Sequence, residues 1–174
     1  MILISVITVC RNEKNRIEET LKSVSRQKFI EFEHIVVDGF SDDGTLELIQ
    51  KYPKVKIFSS PPQGIFNAMN FGAKHAAGQY LVFLNAGDTF QSNLFSLFAD
   101  ACHEEKFDYT LGPITLVFKN KMKRVSNIPQ FKINQYKLGK MLDMPAAHMS
   151  CFVSKKVFNR LGGFDESFQI HLIC

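Results

Sequence analysis

The stretch YLVFLNAGD, residues 80–88, decides how the rest of the chain is read. Tyr80, Leu81, Val82, Phe83 and Leu84 form an unbroken apolar run, enough for a strand buried on both faces, and the run stops at Asn85-Ala86-Gly87-Asp88. A strand of that kind belongs in a sheet covered by helices on either side. In open α/β sheets ligands bind at the carboxyl ends of the strands, so Asp88 arrives where a carboxylate can hold a divalent metal against a phosphate. The other reading of this acid is a cap for a helix following Thr89, since Asp is favoured at helix starts.

Upstream the same strand, loop and helix order repeats. Residues 2–9 (ILISVITV) read as a central strand with Cys10-Arg11-Asn12-Glu13 as its carboxyl-end loop. Ile17, Leu21 and Val24 then mark a helix from Asn15 to about Lys28. Residues 34–37 (HIVV) make a second strand, with Asp38 at its very end. The loop DGFSDDGT (38–45) follows, leading to a short helix over 46–52 for which Asp42 or Asp43 is a candidate cap. A strand-end carboxylate such as Asp38 can accept hydrogen bonds from the N–H or hydroxyl groups of a ligand. Residues 55–58 (VKIF) form a third strand, broken by SSPPQG, and Ile65, Met69, Ala73 and Ala76 mark a helix over 65–77 with Gly78 as its C-cap. Four strands alternating with helices argue for βαβ crossovers and a largely parallel sheet. The absence of GxGxxG after the first strand counts against a dinucleotide fold. A sugar nucleotidyltransferase is disfavoured because the loop after that strand has no Gly to grip a triphosphate.

Beyond Asp88 the alternation weakens into a mixed α+β half. A helix is expected over 94–102, strands over 109–112 and 114–118, and a further strand over 122–126 pairing across Asn120-Lys121. Residues 127–145 read as loop and broken helix. Residues 148–153 (HMSCFV) read as a strand, 155–161 as a helix and 162–166 (GGFDE) as a tight turn.

The length of 174 residues suits one domain, residues 1–174, with 1–90 as a ligand-binding half and 91–174 as a second half. A net charge of +4 is compatible with anionic ligands or an anionic membrane surface. The basic run KNKMKR (119–124) falls at an expected hairpin turn, an exposed turn or else a membrane or acceptor contact. Nucleic acid is excluded as a partner, since no helix carries a basic stripe and no aromatic-basic repeat occurs. Cys10, Cys102, Cys151 and Cys174 show no metal-type spacing, which fits free thiols in a reducing compartment and hence a cytoplasmic protein. No apolar stretch is long enough for a membrane span, leaving peripheral association as the expectation for any membrane contact. The 17 Phe residues beside no Trp have no explanation in composition.

With these motifs in place, the sequence resembles the family 2 glycosyltransferases of the GT-A fold, in particular bacterial enzymes of surface-polysaccharide synthesis. The resemblance is carried by ISVITVCRNE (4–13) with VVDGFSDDGT (36–45), by GIFNAMNFGAKHAAGQYLVFLNAGD (64–88), and by HMSCFVSKKVFNRLGGFDESF (148–168). It implies an α/β GT-A fold, a Rossmann-like mainly parallel sheet flanked by helices, and an inverting transfer of sugar from a nucleotide-diphospho-sugar to an acceptor hydroxyl. The donor expected is a UDP-sugar, and the acceptor a saccharide or lipid-linked saccharide at the inner face of the membrane. The resemblance places Thr8, Arg11, Asn12 and Glu13 beside the nucleotide and Asp38 on the base. Asp88 is implied as the ligand of Mg²⁺ or Mn²⁺, and Asn85 stands where the family often has the first acid of a DxD motif. His148 matches a position near the acceptor, or is a hydrogen-bonded strand-end histidine. The family's catalytic base comes from an acidic pair beyond the GGFDE turn, and here no acid follows Glu166. Asp165 and Glu166 are the weak candidates left, and the resemblance gives them a structural role. The expectation is therefore a nucleotide-binding core that is C-terminally short. It either transfers sugar or binds the nucleotide sugar as a silent module without its base.

Overall fold

The computed structural model describes residues 1–29, 31–104, 108–111, 115–117, 123–125 and 151–167. The β-branched runs become β1 (Ile4–Cys10), β2 (Phe32–Asp38), β3 (Val55–Ser59) and β4 (Tyr80–Asn85). Between them lie α1 (Ile17–Ser25), α2 (Thr45–Ile49) and α3 (Ile65–His75). The second half contributes α4 (Leu94–Glu104), β5 (Tyr109–Leu111), β6 (Thr115–Val117), β7 (Lys123–Val125), β8 (Cys151–Ser154) and α5 (Lys155–Arg160). Six strands form one sheet in the order β3-β2-β1-β4-β8-β5, and β6 and β7 pair separately in antiparallel register. The first four strands are mutually parallel, whereas β8 runs antiparallel to both β4 and β5.

The central strands β1, β2 and β4 are buried on both faces, whereas β3 at the sheet edge is only partly covered. On one face Ile4, Val6, Tyr80, Val82 and Leu84 pack against Val24 of α1 and against Phe95 and Phe98 of α4. On the other, Ile7, Val9, Leu81 and Phe83 pack against Met69 and Ala73 of α3 and Phe158 of α5. Among the described residues, every phenylalanine except Phe40 packs into these two layers. Phe98 stacks on Phe152 at 4.1 Å between centroids, and across the sheet Phe83 meets Phe164 edge-on at 4.8 Å. Offset and edge-on pairs of this kind are the favoured aromatic geometries.

Several boundaries differ from the sequence expectation, each for a local reason. β1 starts at Ile4 and extends through Cys10, which pairs with Asp38 in the ladder and so belongs to the strand instead of the loop. α1 is shorter at both ends than the span from Asn15 to Lys28. α3 ends at His75 with Ala76 already extended (φ −71°, ψ 139°), so Gly78 is not its C-cap. Glycine is required there by close approach: a Cβ on Gly78 would lie 2.6 Å from the backbone N of Ser5. The last sheet strand begins at Cys151; residues 127–145, His148 and the end of the chain after Ser167 lie outside the described residues. Within the basic run, Lys123 and Arg124 sit in β7, and residues 119–122 are outside the described set.

Candidate functional site

Parallel pairing brings the carboxyl ends of four strands to one edge. Cys10 pairs with Asp38, Asp38 with Ser59, and Val9 with Asn85, so the loops after β1, β2, β3 and β4 open side by side. The first two loops are joined by hydrogen bonds that their polar residues make possible. Asn12 N–H donates to Ser41 Oγ (2.9 Å), Asp42 N–H to Asn12 Oδ1 (3.0 Å), Glu13 N–H to Thr45 Oγ1 (2.9 Å) and Lys14 N–H to Asp43 Oδ2 (3.0 Å). Asp43 also accepts from Thr45 N–H (2.9 Å), so of the two acids proposed as caps for α2 it is Asp43 that meets the helix start, while Asp42 contributes its backbone.

Asp38 is fully buried, and its carboxylate is engaged within its own loop. Oδ2 accepts from Ser41 N–H (2.9 Å) and Oδ1 from Ser41 Oγ (2.5 Å). The Cys10 thiol lies 3.7 Å from the same Oδ1, and burial together with that negative charge pushes the thiol far above its ordinary range. Thr8 stands two residues short of the strand end and is also fully buried, sharing a 2.9 Å hydrogen bond with His34 Nε2. Burial pushes His34 down to about 3, so its ring is neutral. Asp38 and Thr8 thus lie buried at the edge, and Arg11, Asn12 and Phe40 are among the exposed residues of the loops that follow.

Asp88 closes the other side of the edge. It does not cap a helix, because α4 starts only at Leu94. Its N–H donates to Asn85 O (3.1 Å), forming a turn with Gly87 at φ 93°. α1 fixes this turn through one hydroxyl: Thr20 Oγ1 accepts from Gly87 N–H (2.9 Å) and donates to Asp88 O (2.8 Å). Burial raises the Asp88 carboxyl above the usual carboxylate value, and the charge of Arg16 opposes this only in part. Arg16 was not singled out from the sequence. It pairs with both oxygens of Glu13 (2.7 and 2.6 Å) and lies along Gly87, where a Cβ would stand 3.4 Å from Arg16 Cδ. An Arg three residues after Glu at a helix start is the available signal, since that spacing sets opposite charges together.

The donor chemistry here suits a hard cation shared with a ligand. Among the described residues no cluster of three His, Cys, Asp or Glu side chains is positioned to enclose a metal. Mg²⁺-type ions at phosphate sites need only one or two carboxylates and take their other ligands from phosphates and water, so Asp88 fits as the single protein carboxylate. Asn85 is the last residue of β4, with its Oδ1 buried.

Asp165 and Glu166 lie in the turn after α5 and hold it together. Glu166 accepts from Asn67 Nδ2 and Asn70 Nδ2, both at 2.8 Å, and Asp165 Oδ1 accepts from Ser167 N–H (2.9 Å) and Oγ (2.7 Å). Those hydrogen bonds hold both carboxyls below their ordinary values. Asn70 also clamps Phe164 through its backbone O and N–H, each at 2.9 Å. Elsewhere, a cleft of about 510 Å³ between α1 and the segment after Asp88 is lined by Glu19, Lys22, Arg26 and Phe90, among others. None of its lining residues comes from the β1 or β2 loops.

A helix-covered, mainly parallel sheet with polar residues gathered at the strand ends defines an α/β protein of the class in which ligands bind at that edge. The model of the family described as glycosyl transferase family 2 matches residues 5–162, and the chain belongs to that family. An uncharacterized glycosyltransferase of Mycobacterium tuberculosis is 28% identical over 96% of this chain and 64% of its own length. A Bacillus subtilis protein, TuaG, named as a candidate teichuronic acid biosynthesis glycosyltransferase, is 33% identical over 52% of this chain and 38% of its own. The fold is that of S. aureus TarS, residues 1–349, with a TM-score of 0.76 at 21% identity over 98% of this chain and 52% of TarS. It is shared with the mannosyltransferase PcManGT of Pyrobaculum calidifontis, solved with GDP-Man and Mn²⁺, at TM-score 0.67 and 19% identity over 94% of this chain and 47% of that one. The chain therefore spans less than two thirds of the length of these relatives. It has the GT-A fold expected from the resemblance.

Proposed function

We propose that this chain carries the donor-binding half of an inverting glycosyltransferase. It would move a sugar from a nucleotide-diphospho-sugar to a hydroxyl of a saccharide or lipid-linked saccharide in cell-surface polysaccharide synthesis. The observation that carries this reading is the turn of Asp88, pinned by Thr20 and flanked by Arg16, one strand away from the β1 loop and two from the β2 loop. TarS has been solved with UDP-GlcNAc and with UDP, which supports a UDP-sugar as the donor. TuaG supports an acceptor in an envelope polymer. Such an enzyme works in the cytoplasm, at the inner face of the membrane. Among the described residues no helix is long and apolar enough to cross a membrane.

In this reading Asp88 would hold Mg²⁺ or Mn²⁺ at the donor's diphosphate, where the ion would supply positive charge to offset the negative charge gathering on the leaving nucleoside diphosphate. Arg16, kept in place by Glu13, adds positive charge on the same side, while Arg11, Asn12 and the Asp38 loop border the nucleoside. The acceptor oxygen attacks the anomeric carbon from the face opposite the diphosphate, and a base removes its proton. Asp165 and Glu166 are poor bases, because hydrogen bonds stabilise their charged forms and lower their proton affinity. His148 remains a candidate on the acceptor side. The engagement of both turn carboxylates favours a second reading as well, a module that binds nucleotide sugar without transfer.

A panel of UDP-glucose, UDP-galactose, UDP-N-acetylglucosamine and GDP-mannose with Mn²⁺ separates the readings. Release of nucleoside diphosphate from one of them, enhanced by a saccharide acceptor, supports transfer. Binding without acceptor-dependent release supports the silent module, and a chain that binds none of the four contradicts both.

A further inference from the structure

We propose that Phe40 is the platform on which the planar base of the nucleotide stacks, an assignment that rests on the donor-site reading above. Among the described residues only Asn12 (φ 55°) and Phe40 (φ 57°) are non-glycine residues with left-handed backbone. Asn tolerates that region; an aromatic residue, whose Cβ crowds the backbone there, is a true outlier. Phe40 is also 57% exposed, and of the large exposed hydrophobics it is the aromatic one, beside Met1, Leu97 and Leu161. Packing does not ask for this residue. Glycine would relieve the backbone and remove an apolar ring from water, so position 40 carries two penalties that folding alone does not require. Strain kept in place by well-determined surroundings points to function.

The surroundings are well determined. Both oxygens of Asp38 draw Ser41 back toward the strand end, which throws residues 39 and 40 outward between them. The Asn12 side chain receives Asp42 N–H, and Ser41 Oγ receives Asn12 N–H, so Asn12 ties down the two residues that follow Phe40. The Arg11 stem lies along Gly39, where a Cβ would stand 3.2 Å from Arg11 Cβ. This close approach favours glycine at residue 39 and seats the Arg11 stem against the loop that carries Phe40. The buried Asp38 acts in this scheme as a positioning residue that aims the ring.

Nucleotide length selects the base over the sugar as the occupant. Asp88 stands at the end of β4, β1 is next to it, and β2 with Phe40 follows. Two inter-strand steps of about 4.8 Å separate the ends of β4 and β2, a span of roughly 10 Å. A diphosphate held at Asp88 thus projects its ribose over the β1 loop and its base onto the β2 loop. Every nucleobase offers a π face to an aromatic ring, so a phenylalanine platform holds the base without reading its identity.

The test uses the whole chain, with UDP and pyrophosphate as probes in the presence of Mn²⁺. Phe40→Leu keeps an apolar side chain and the left-handed backbone but removes the π face. It should bind UDP about 10-fold more weakly, with pyrophosphate affinity unchanged. Phe40→Gly should melt at a higher temperature than the wild type and yet bind UDP more weakly, opposite signs that a structural role for the ring does not produce. Because the natural chain has no Trp, Phe40→Trp installs one reporter, whose fluorescence should be quenched as UDP saturates the site. A Phe40→Leu variant that binds UDP as tightly as the wild type overturns the platform while leaving the donor site intact, as does equal loss for UDP and pyrophosphate. A Phe40→Trp variant that binds UDP without quenching also overturns it, and weaker binding of a saccharide acceptor alone would give the ring to the acceptor instead. A wild-type chain that binds neither UDP nor GDP overturns the donor-site reading and the platform with it.

Discussion

Lowering the pH from 7 to 5 should destabilise the folded chain by about 2 kcal/mol through His34 alone. The ring is 4% exposed in the middle of β2, its Nε2 shares a hydrogen bond with Thr8, and burial holds its pKa down to about 3. In the unfolded chain the same imidazole titrates at about 6.5. The folded pKa is depressed, so this contribution to stability is complete above pH 6.5 and is lost as the pH falls from 6.5 toward 3. With those two values the linkage relation gives a loss of about 2 kcal/mol between pH 7 and 5, limited by a slope of about 1.4 kcal/mol per pH unit. Ordinary carboxylates titrate mostly below this window and contribute little to it. Urea unfolding at pH 7, 6 and 5, on the wild type and on His34→Gln, isolates the effect, because every other group cancels in the difference. His34→Gln retains a group able to bond Thr8 and cannot be protonated, so its stability should change far less over the interval. Parallel losses in the two proteins would refute the assignment, as would an imidazole NMR signal for His34 that titrates near 6.5 in the native state.

Two packing predictions follow from contacts that glycine and asparagine make possible. In Gly72→Ala the new methyl would stand 2.6 Å from Ile7 Cγ2 and 3.2 Å from Val37 Cγ2, where α3 crosses the sheet. Overpacking of about 1–3 kcal/mol outweighs the roughly 1 kcal/mol of helix propensity gained, and the melting temperature should fall. An unchanged or raised melting temperature would show that α3 sits farther from the sheet. Asn70→Ala removes the bonds to Phe164 N–H, Phe164 O and Glu166 from a residue 8% exposed. At about 1 kcal/mol per bond it should lose roughly 2–3 kcal/mol and open the turn after α5 to proteolysis, whereas a turn that stays protected would contradict the clamp.

The parallel half of the sheet was legible because strands buried on both faces leave continuous β-branched runs, and each of β1 to β4 falls within two residues of its expected span. The errors sit where one residue type serves several ends. Gly78 looked like a helix cap and is a close-packing glycine under Ser5; Asp88 admitted a helix-cap reading and instead belongs to a turn five residues clear of α4. The place of β8 between β4 and β5 depends on long-range pairing that no local pattern encodes. At the site, the strand-end carboxylates were visible, but their burial was not. The hydrogen bonds that occupy Asp38 come from Ser41 in its own loop, and Thr8 is covered by His34, a residue that looked like part of an ordinary strand. Phe40 is not legible because backbone strain cannot be read from a residue that usually avoids it, and the place of Arg16 beside the Asp88 turn is not legible because Gly87 lies 71 positions away, although its pairing with Glu13 is local.

The central claim, that Asp88 holds a divalent ion against a nucleoside diphosphate, is tested most directly by the melting temperature with UDP and Mn²⁺ on wild type and Asp88→Asn. Ligand that binds only the folded state at 100 times its Kd stabilises by about 2.7 kcal/mol, roughly 5–10 °C for a chain of this size. Without ligand the variant should melt at or above the wild-type temperature, because burial already penalises the Asp88 charge. With UDP and Mn²⁺ the wild type should rise by the full shift and Asp88→Asn should lose most of it. Equal shifts in the two proteins, or a wild-type shift indifferent to Mn²⁺, would contradict the account.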